Sequence, residues 1–244
     1  MRTGGDLVFA YLNDTYSKPE KLLLTLYQVG AMTQSDLTTV LGWSEKRTSK
    51  VITTLNGGRN KNRKNGSDKI SGTREYLGKR NSGKIRYLSR TGLEYAASLT
   101  GQYATFLPLK DGEARILANL SKFAIEYSKS NPSVIYYGPF LAKIKFPLND
   151  LRSESPVCLK TGDSVWWLLW INEAMAAATI RNRLDEWRYI QSRVSKMDSA
   201  HSHQVITVCS TTDVARRVSD QAYRVKSFPL HVTMLGKSNE VFNE

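Results

Sequence analysis

The sequence predicts a fold of the α+β / α/β class, with an N-terminal winged helix-turn-helix domain over residues 1–106 and a mixed α/β domain over residues 107–244. Apolar residues at helical spacing, followed by two short strand-like segments rich in basic residues, indicate the first domain. Alternating strand and helix patterns indicate the second. Leu107-Pro108 marks the boundary, and 244 residues are enough for two separate hydrophobic cores.

Three helices are predicted at the start of the chain. The first covers residues 19–30, with Pro at its first turn and Gly at its end. The second begins after Thr33, which suits an N-cap, and ends at Gly42. The third covers residues 45 to about 56 behind a Ser44 cap, and its inward face holds Thr48, Val51, Ile52 and Leu55. Two short helices joined by a tight turn, the second rich in small polar and basic residues, are typical of a helix-turn-helix.

A basic hairpin is predicted directly after the third helix. The segments Lys69–Leu77 and Lys84–Leu88 have strand composition, and residues 78–83 have the composition of a tight turn. A fourth helix follows from Ser89 with a Ser or Thr cap. A hairpin in this position indicates a wing. The Gly, Asn and basic loop over residues 57–67 is either an arm that contacts phosphates or an insertion with no role. We favour phosphate contact, because its cations lie close behind the third helix.

The positive charge of the chain is concentrated in one segment. Lys and Arg number 35 against 22 acids, and 14 of the basic residues but only three acids lie between Trp43 and Arg90. Such a segment indicates a polyanionic partner, for which we predict double-stranded DNA; the alternative is a solvated basic face on an ordinary helical bundle. The residues expected to contact DNA are Ser44, Lys46, Arg47, Lys50 and Thr54 on the third helix, Arg59, Lys61, Arg63 and Lys64 in the loop, and Lys79, Arg80, Lys84 and Arg86 in the hairpin.

The second half of the chain alternates strands and helices. The segment 164–171 has no polar alternation, which is typical of a central strand covered on both faces. The predicted order of elements, which is strand, long helix, strand, helix and strand, implies crossover units on a mixed or parallel sheet. The predicted strands cover residues 133–137, 141–146, 164–171, 203–210 and 230–235, and the predicted helices cover residues 113–129, 173–196 and 212–225.

The second half carries no familiar catalytic pattern. It has no Gly-rich phosphate loop, no Gly-x-Ser-x-Gly and no metal-ligand spacing. Asp150, Asp163 and Glu173 are the only trio of acids that could converge on a divalent metal, and solvated turn residues are the more typical role for them. We therefore predict no catalytic residue, no metal and no cofactor. Two cysteines, with no signal peptide and no membrane span, favour a cytoplasmic protein with reduced thiols.

Three features carry a family resemblance: the segment Leu22-Leu-Leu-Thr-Leu-Tyr-Gln-Val-Gly-Ala-Met-Thr33, the segment Arg86-Tyr-Leu-Ser-Arg-Thr-Gly-Leu93, and the order of elements after Gly112. In these the chain resembles the plasmid replication–relaxation family, proteins of plasmids and conjugative elements. The resemblance implies an N-terminal winged helix and a degenerate C-terminal domain similar to a restriction endonuclease. Many members carry Glu-x-Asp on the central strand, where this chain has Trp170-Ile-Asn172, and their Pro-Asp step is echoed only distantly by Pro147–Asp150. This departure implies a binding or scaffolding role.

We predict a non-enzymatic, sequence-specific double-stranded DNA-binding protein of a plasmid or conjugative element, acting in replication, transfer or its regulation. A homodimer is expected because one small module reads few base pairs. Replication or transfer proteins are expected as further partners, and a membrane is not. The alternatives are a metal-dependent nuclease or nickase that uses the C-terminal domain, a transcriptional repressor unrelated to plasmids, and an interaction module whose basic segment binds an acidic protein.

Overall fold

The chain divides into two compact units, and the break falls between Ala118 and Asn119, inside a long helix. The sequence-based boundary lies at residues 106 and 107, ahead of that helix. The computed structural model describes residues 15–56, 77, 85–101, 109–131, 133–146, 156–224 and 230–236.

The first unit is mostly helical. Its elements are α1 (Lys18–Val29), β1 (Ala31–Thr33), α2 (Gln34–Val40), α3 (Glu45–Leu55), β2 (Ile85–Tyr87), α4 (Arg90–Thr100) and the start of α5 (Asp111–Ser130). β1 and β2 pair antiparallel, with Met32 opposite Arg86, and Leu77 forms an antiparallel bridge with Leu88. The helix predictions are confirmed, including the four inward-facing residues of α3, which are all buried. The sequence does not predict β1, because three residues are too few to show an alternation.

Side-chain caps explain where these helices begin. Ser17 and Glu20 form a capping box at α1, in which the Ser17 N–H donates to Glu20 Oε2 at 2.7 Å. The hydroxyl oxygen of Thr33 accepts a backbone N–H from the first turn of α2 at 3.1 Å. Ser44 and Ser89 cap α3 and α4 in the same way. Each cap supplies an acceptor for an N–H that the helix leaves unpaired, so the predicted caps at Thr33 and Ser44 are confirmed. The Ser or Thr cap predicted for the fourth helix is Ser89.

The second unit is built on one mixed sheet. Its elements after α5 are β3 (Ile135–Tyr137), α6 (Pro139–Lys145), β4 (Cys158–Thr161), β5 (Ser164–Ile171), α7 (Ala177–Met197), β6 (Ser202–Cys209), α8 (Thr212–Arg224) and β7 (Leu230–Met234). The strand order is β3-β4-β5-β6-β7; the first two pairs are antiparallel and the last two are parallel. The predicted mixed sheet with crossover helices is confirmed. Among the described residues, no helix is long and apolar enough to cross a membrane.

Helices pack on both faces of this sheet. Trp167 of β5 packs on Trp187 of α7, with ring centroids 5.9 Å apart, and α8 adds Val214 and Val218 to the same core. On the other face, Ser121 of α5 lies beside Tyr136 of β3, and the strand register places Tyr136 opposite to Trp167. Seven of the eight residues of β5 are buried, which confirms the predicted central strand.

Three sequence-based assignments in the second unit need correction. Of residues 141–146, predicted as a strand, 141–145 belong to α6 and Phe146 is its C-cap. Pro139 suits a first helical turn, and the N–H of Ala142 donates to Gly138 O at 2.8 Å. A short apolar run does not by itself distinguish strand from helix. Strand β4 was not predicted; it joins β5 through a two-residue turn whose Gly162 has φ of +53°. Helix α7 begins at Ala177 and not at residue 173, because a turn precedes it.

Candidate nucleic-acid interface

Helix α3 presents a polar, basic face to solvent. Because an α-helix turns every 3.6 residues, the residues opposite its buried Thr48, Val51, Ile52 and Leu55 run along a single stripe. That stripe holds the exposed side chains of Lys46, Arg47, Ser49, Lys50 and Thr53. The predicted residues Lys46, Arg47 and Lys50 therefore lie together. Ser49 and Thr53 were missed by the sequence reasoning, although counting three and seven positions from Lys46 finds both.

The hydroxyls of Ser44 and Thr54 already have local partners. Ser44 Oγ accepts the N–H of Arg47 at 3.3 Å, and the half-buried Thr54 donates to the carbonyl of Lys50 at 3.0 Å. Ser44 is exposed at the N-terminus of α3, where backbone N–H groups attract anions. Both residues therefore border the exposed stripe, and both also support the helix itself.

The three cations of α3 are not neutralised by the described part of the chain. No carboxylate among the described residues forms a salt bridge with Lys46, Arg47 or Lys50, and Glu45 is the only acid on the helix. Exposed ammonium and guanidinium groups without a protein partner keep their donors for a ligand. The stripe therefore offers three positive charges and two hydroxyls over two turns of helix, which suits a polyanion.

A sharp turn and a hydrogen-bonded pair of threonines fix α3 against α2. Gly42 adopts φ of +61°, a conformation that favours glycine, and the N–H of Trp43 donates to Thr38 O at 3.1 Å. Thr38 Oγ1 donates to Thr48 Oγ1 at 3.1 Å, and Thr48 in turn donates to the carbonyl of Ser44. The orientation of the exposed stripe is therefore set by hydrogen bonds as well as by apolar packing.

Arg86 lies on β2, away from the exposed stripe of α3. Its Nη2 donates to Gln34 Oε1 at 3.1 Å, and Gln34 Nε2 donates to Ser49 Oγ at 2.9 Å. The remaining predicted contacts, Arg59, Lys61, Arg63, Lys64, Lys79, Arg80 and Lys84, lie outside the described residues. Of the thirteen predicted contacts, the structure therefore places five on or beside one helix face and a sixth on the adjoining strand.

Asp163 and Glu173, two of the three acids considered for a metal site, lie far apart. Asp163 lies in the turn before β5, and Glu173 follows its other end. An eight-residue strand spans about 25 Å, which is too far for two carboxylates to share one ion. Asp150 lies outside the described residues, and the described His, Cys, Asp and Glu side chains form no group that could hold a metal.

Two arginines occupy the region where β5 leads into α7. Arg183 Nη1 donates to the carbonyl of Trp170 at 3.0 Å, and Arg217 donates to the carbonyls of Glu173 and Met175. These bonds fix the connection between strand and helix. Asn172, which directly follows β5, stabilises the same turn because its side-chain oxygen accepts the N–H of Ala174 at 3.1 Å. The arrangement is that of a stabilised turn, with no converging carboxylates among the described residues.

One polar cluster in the second unit, formed by Trp167, Asp198, His201 and His203, was not predicted from the sequence. Trp167 Nε1 donates to His203 Nδ1 at 3.2 Å, so the proton of a neutral His203 is on Nε2, 3.3 Å from Asp198 Oδ2. His201 Nδ1 lies 2.9 Å from the same oxygen. Burial lowers the pKa of His203, although the nearby Asp198 acts in the opposite direction. For Asp198, burial raises the pKa, but the two histidines together lower it by more, so its pKa lies below the ordinary value. The cluster holds Asp198, after α7, against the start of β6.

Both cysteines are free and buried, as the sequence predicts. Burial raises the pKa of Cys209 to about 12 and also raises the pKa of Cys158. A thiol with a raised pKa carries little thiolate at neutral pH. The cysteines therefore serve as small core residues, and neither is a candidate nucleophile.

The chain matches no protein-family model, no curated protein and no solved structure. The features that bear on its function are therefore the exposed stripe of α3, the elements that orient it, and the resemblance found in the sequence.

Proposed function

We propose that this chain is a sequence-specific double-stranded DNA-binding protein, and that its first unit docks as a winged helix with α3 in the major groove. The observation that carries the proposal is the exposed stripe of α3, where Lys46, Arg47 and Lys50 have no carboxylate partner among the described residues. Lys and Arg contact phosphates and guanine edges, and hydroxyls such as those of Ser49 and Thr53 contact either.

The order of elements supports the winged-helix part of the proposal. Strand β1 stands between α1 and α2, and its partner β2 follows α3. Leu77 forms an antiparallel bridge with Leu88, which directly follows β2, as the two strands of a wing require. A hairpin turn between these two residues would carry Lys79, Arg80 and Lys84 beside α3, where they would contact the flanking backbone of the same duplex.

For the second unit we propose a role in self-association or partner binding without cleavage. Asn172 and Trp170 stand where the plasmid replication–relaxation family has acids, Trp170 is buried, and Asp163 and Glu173 lie at opposite ends of β5. A mixed sheet between helices is compatible with a degenerate restriction-endonuclease-like domain. With the resemblance, these features support a protein of a plasmid or conjugative element, acting in replication, transfer or its regulation, as a dimer in a cytoplasm.

The test is selection of bound duplexes from a random pool by the full chain, followed by affinity measurements on the selected site and on an unrelated duplex. The proposal expects an enriched motif and binding that weakens steeply with salt. A motif with two-fold symmetry would support the dimer. Failure to bind any duplex at low ionic strength would contradict the proposal, and nicking or linearisation of a supercoiled plasmid in Mg²⁺ or Mn²⁺ would favour the nuclease alternative.

A further inference from the structure

A chain of hydrogen bonds runs from β2 through α2 to the middle of the exposed stripe of α3. Arg86 Nη2 donates to Gln34 Oε1 at 3.1 Å, and Gln34 Nε2 donates to Ser49 Oγ at 2.9 Å. Gln34 is the first residue of α2, and the pairing of Met32 with Arg86 brings β2 beside it. A single amide thus connects the strand to the helix proposed to enter the groove, using one donor and one acceptor.

The guanidinium of Arg86 is poorly placed to bind a phosphate. Its Nε and Nη1 are shielded from solvent and have no hydrogen-bond partner among the described residues. Burial also lowers the pKa of Arg86, which reflects the cost of desolvating the cation. Buried donors without acceptors are normally removed by selection for stability, and they persist most often at functional positions.

We propose that Arg86 is a positioning residue: it holds the exposed stripe of α3 in register with the hairpin strand through Gln34 and Ser49, and it does not itself contact nucleic acid. This inference rests on the proposed DNA binding. It assigns to Gln34, which the sequence did not single out, the role of fixing Ser49 in the orientation needed to read a base edge. The link joins residues 52 and 15 positions apart in the chain.

The two roles of Arg86 predict different salt dependences. A residue that neutralises one phosphate contributes about 0.9 to the slope of log affinity against log salt concentration on every sequence. A positioning residue contributes nothing to that slope and affects chiefly the selected site. The experiment measures both quantities with the full-length chain, on the site selected by the wild type and on an unrelated duplex.

The variants are Arg86→Met, Gln34→Met, the double variant, and Lys50→Met as the phosphate-contact control. Arg86→Met and Gln34→Met are each expected to weaken binding to the selected site by roughly tenfold, within the range of coupling between neighbouring side chains. Binding to the unrelated duplex and both salt slopes stay at the wild-type values. The double variant is no weaker than either single variant, because both changes break the same link. Lys50→Met lowers the slope by about 0.9 on both duplexes.

Thermal unfolding separates positioning from a merely structural role. Arg86→Met removes buried donors that lack acceptors, so its melting temperature is expected to equal or exceed that of the wild type while specific binding falls. Gln34→Met tests the same link at a half-buried position if the strand variant folds poorly. A drop of about one in the salt slope of Arg86→Met, additive single variants, or unchanged binding to both duplexes would overturn the inference. If the wild type binds no duplex at all, the proposed function itself fails.

Discussion

The basic residues of α3 and those around α7 and α8 differ in the partners that the fold gives them. In α3 of the first unit, Lys46, Arg47 and Lys50 are exposed and unpaired with any described carboxylate. In the second unit, Arg183 and Arg217 donate to main-chain carbonyls at the end of β5. Three exposed arginines of α7 and α8 also have local acceptors: Arg181 bonds Gln221, Arg188 pairs with Asp185 and Arg216 pairs with Asp213.

This difference shows why net charge alone is a weak guide to function. A guanidinium that already donates to backbone carbonyls or to a neighbouring carboxylate has fewer donors left for a phosphate. An ammonium or guanidinium with no protein partner releases counterions when it meets DNA. The structure therefore divides the basic residues into those that build the fold and those that are available to a ligand.

The largest effect is expected from the core of the second unit. Trp187 is almost fully buried against Trp167, so Trp187→Ala should lower the free energy of unfolding by about 3–5 kcal/mol. Tyr189→Ala, on the same helix but 64% exposed, is the control and should cost little. Denaturant unfolding followed by tryptophan fluorescence measures both. Affinity for an unrelated duplex, measured where the variant remains folded, should not change; a parallel loss would mean that the second unit also contributes to the DNA-binding surface.

The next effect is the loss of nucleic-acid binding when the free cations are removed. Changing Lys46, Arg47 and Lys50 together to Ala should weaken binding roughly a hundredfold, at about 1 kcal/mol for each lost contact. The salt slope should fall by about 2.7. The matched control changes Arg181, Arg188 and Arg216 to Ala, which removes the same charge from exposed positions of the second unit. Equal losses in the two triple variants would show that binding follows net charge, and the comparison between the units would be wrong.

The stripe of α3 was largely predictable, because it depends on local rules. Helical period gave the buried Thr48, Val51, Ile52 and Leu55, and hydrogen-bonding side chains gave the caps at Thr33 and Ser44. The predicted contacts at Lys46, Arg47 and Lys50 follow from the same period. Each of these features is determined by residues within one or two helical turns of one another.

The features that were not predicted depend mostly on contacts between residues far apart in the sequence, which local sequence patterns do not show. Strand β1 is recognisable only through its partner β2, more than 50 residues later, and the Arg86–Gln34–Ser49 link has the same origin. Residues 141–146 were misassigned because their apolar side chains suit a buried helix as well as a strand. The separation of Asp163 and Glu173, in contrast, already follows from the predicted strand over residues 164–171, which lies between them.

A third prediction concerns the pH dependence of the second unit. Because burial lowers the pKa of His203 below its ordinary value of 6.5, the unfolded chain binds more protons than the folded chain below that pH. The free energy of unfolding should therefore fall as the pH drops below about 6.5, by at most about 1.4 kcal/mol per pH unit for this one group. The lowered pKa of Asp198 extends the loss to lower pH. The free energy of unfolding of His203→Gln, measured from pH 7 downwards, should lack the decrease that begins near pH 6.5. If the variant shows the same pH profile as the wild type, groups other than His203 cause that decrease.

The smallest effect is expected at Ser44, which is both a cap and a predicted DNA contact. Ser44→Ala removes the acceptor for the Arg47 N–H and should cost about 1 kcal/mol of stability, with a small loss of DNA affinity. Ser44→Asp retains the cap, since Asp is an equally good N-cap and its charge suits the helix N-terminus, but it places a negative charge beside Lys46 and Arg47. Stability should therefore return to the wild-type value while affinity falls further, on the selected and the unrelated duplex alike. If Ser44→Asp binds DNA as tightly as the wild type, this end of α3 does not approach the phosphates. Ser44 would then be a structural residue only, and the DNA-binding surface would exclude the N-terminus of α3.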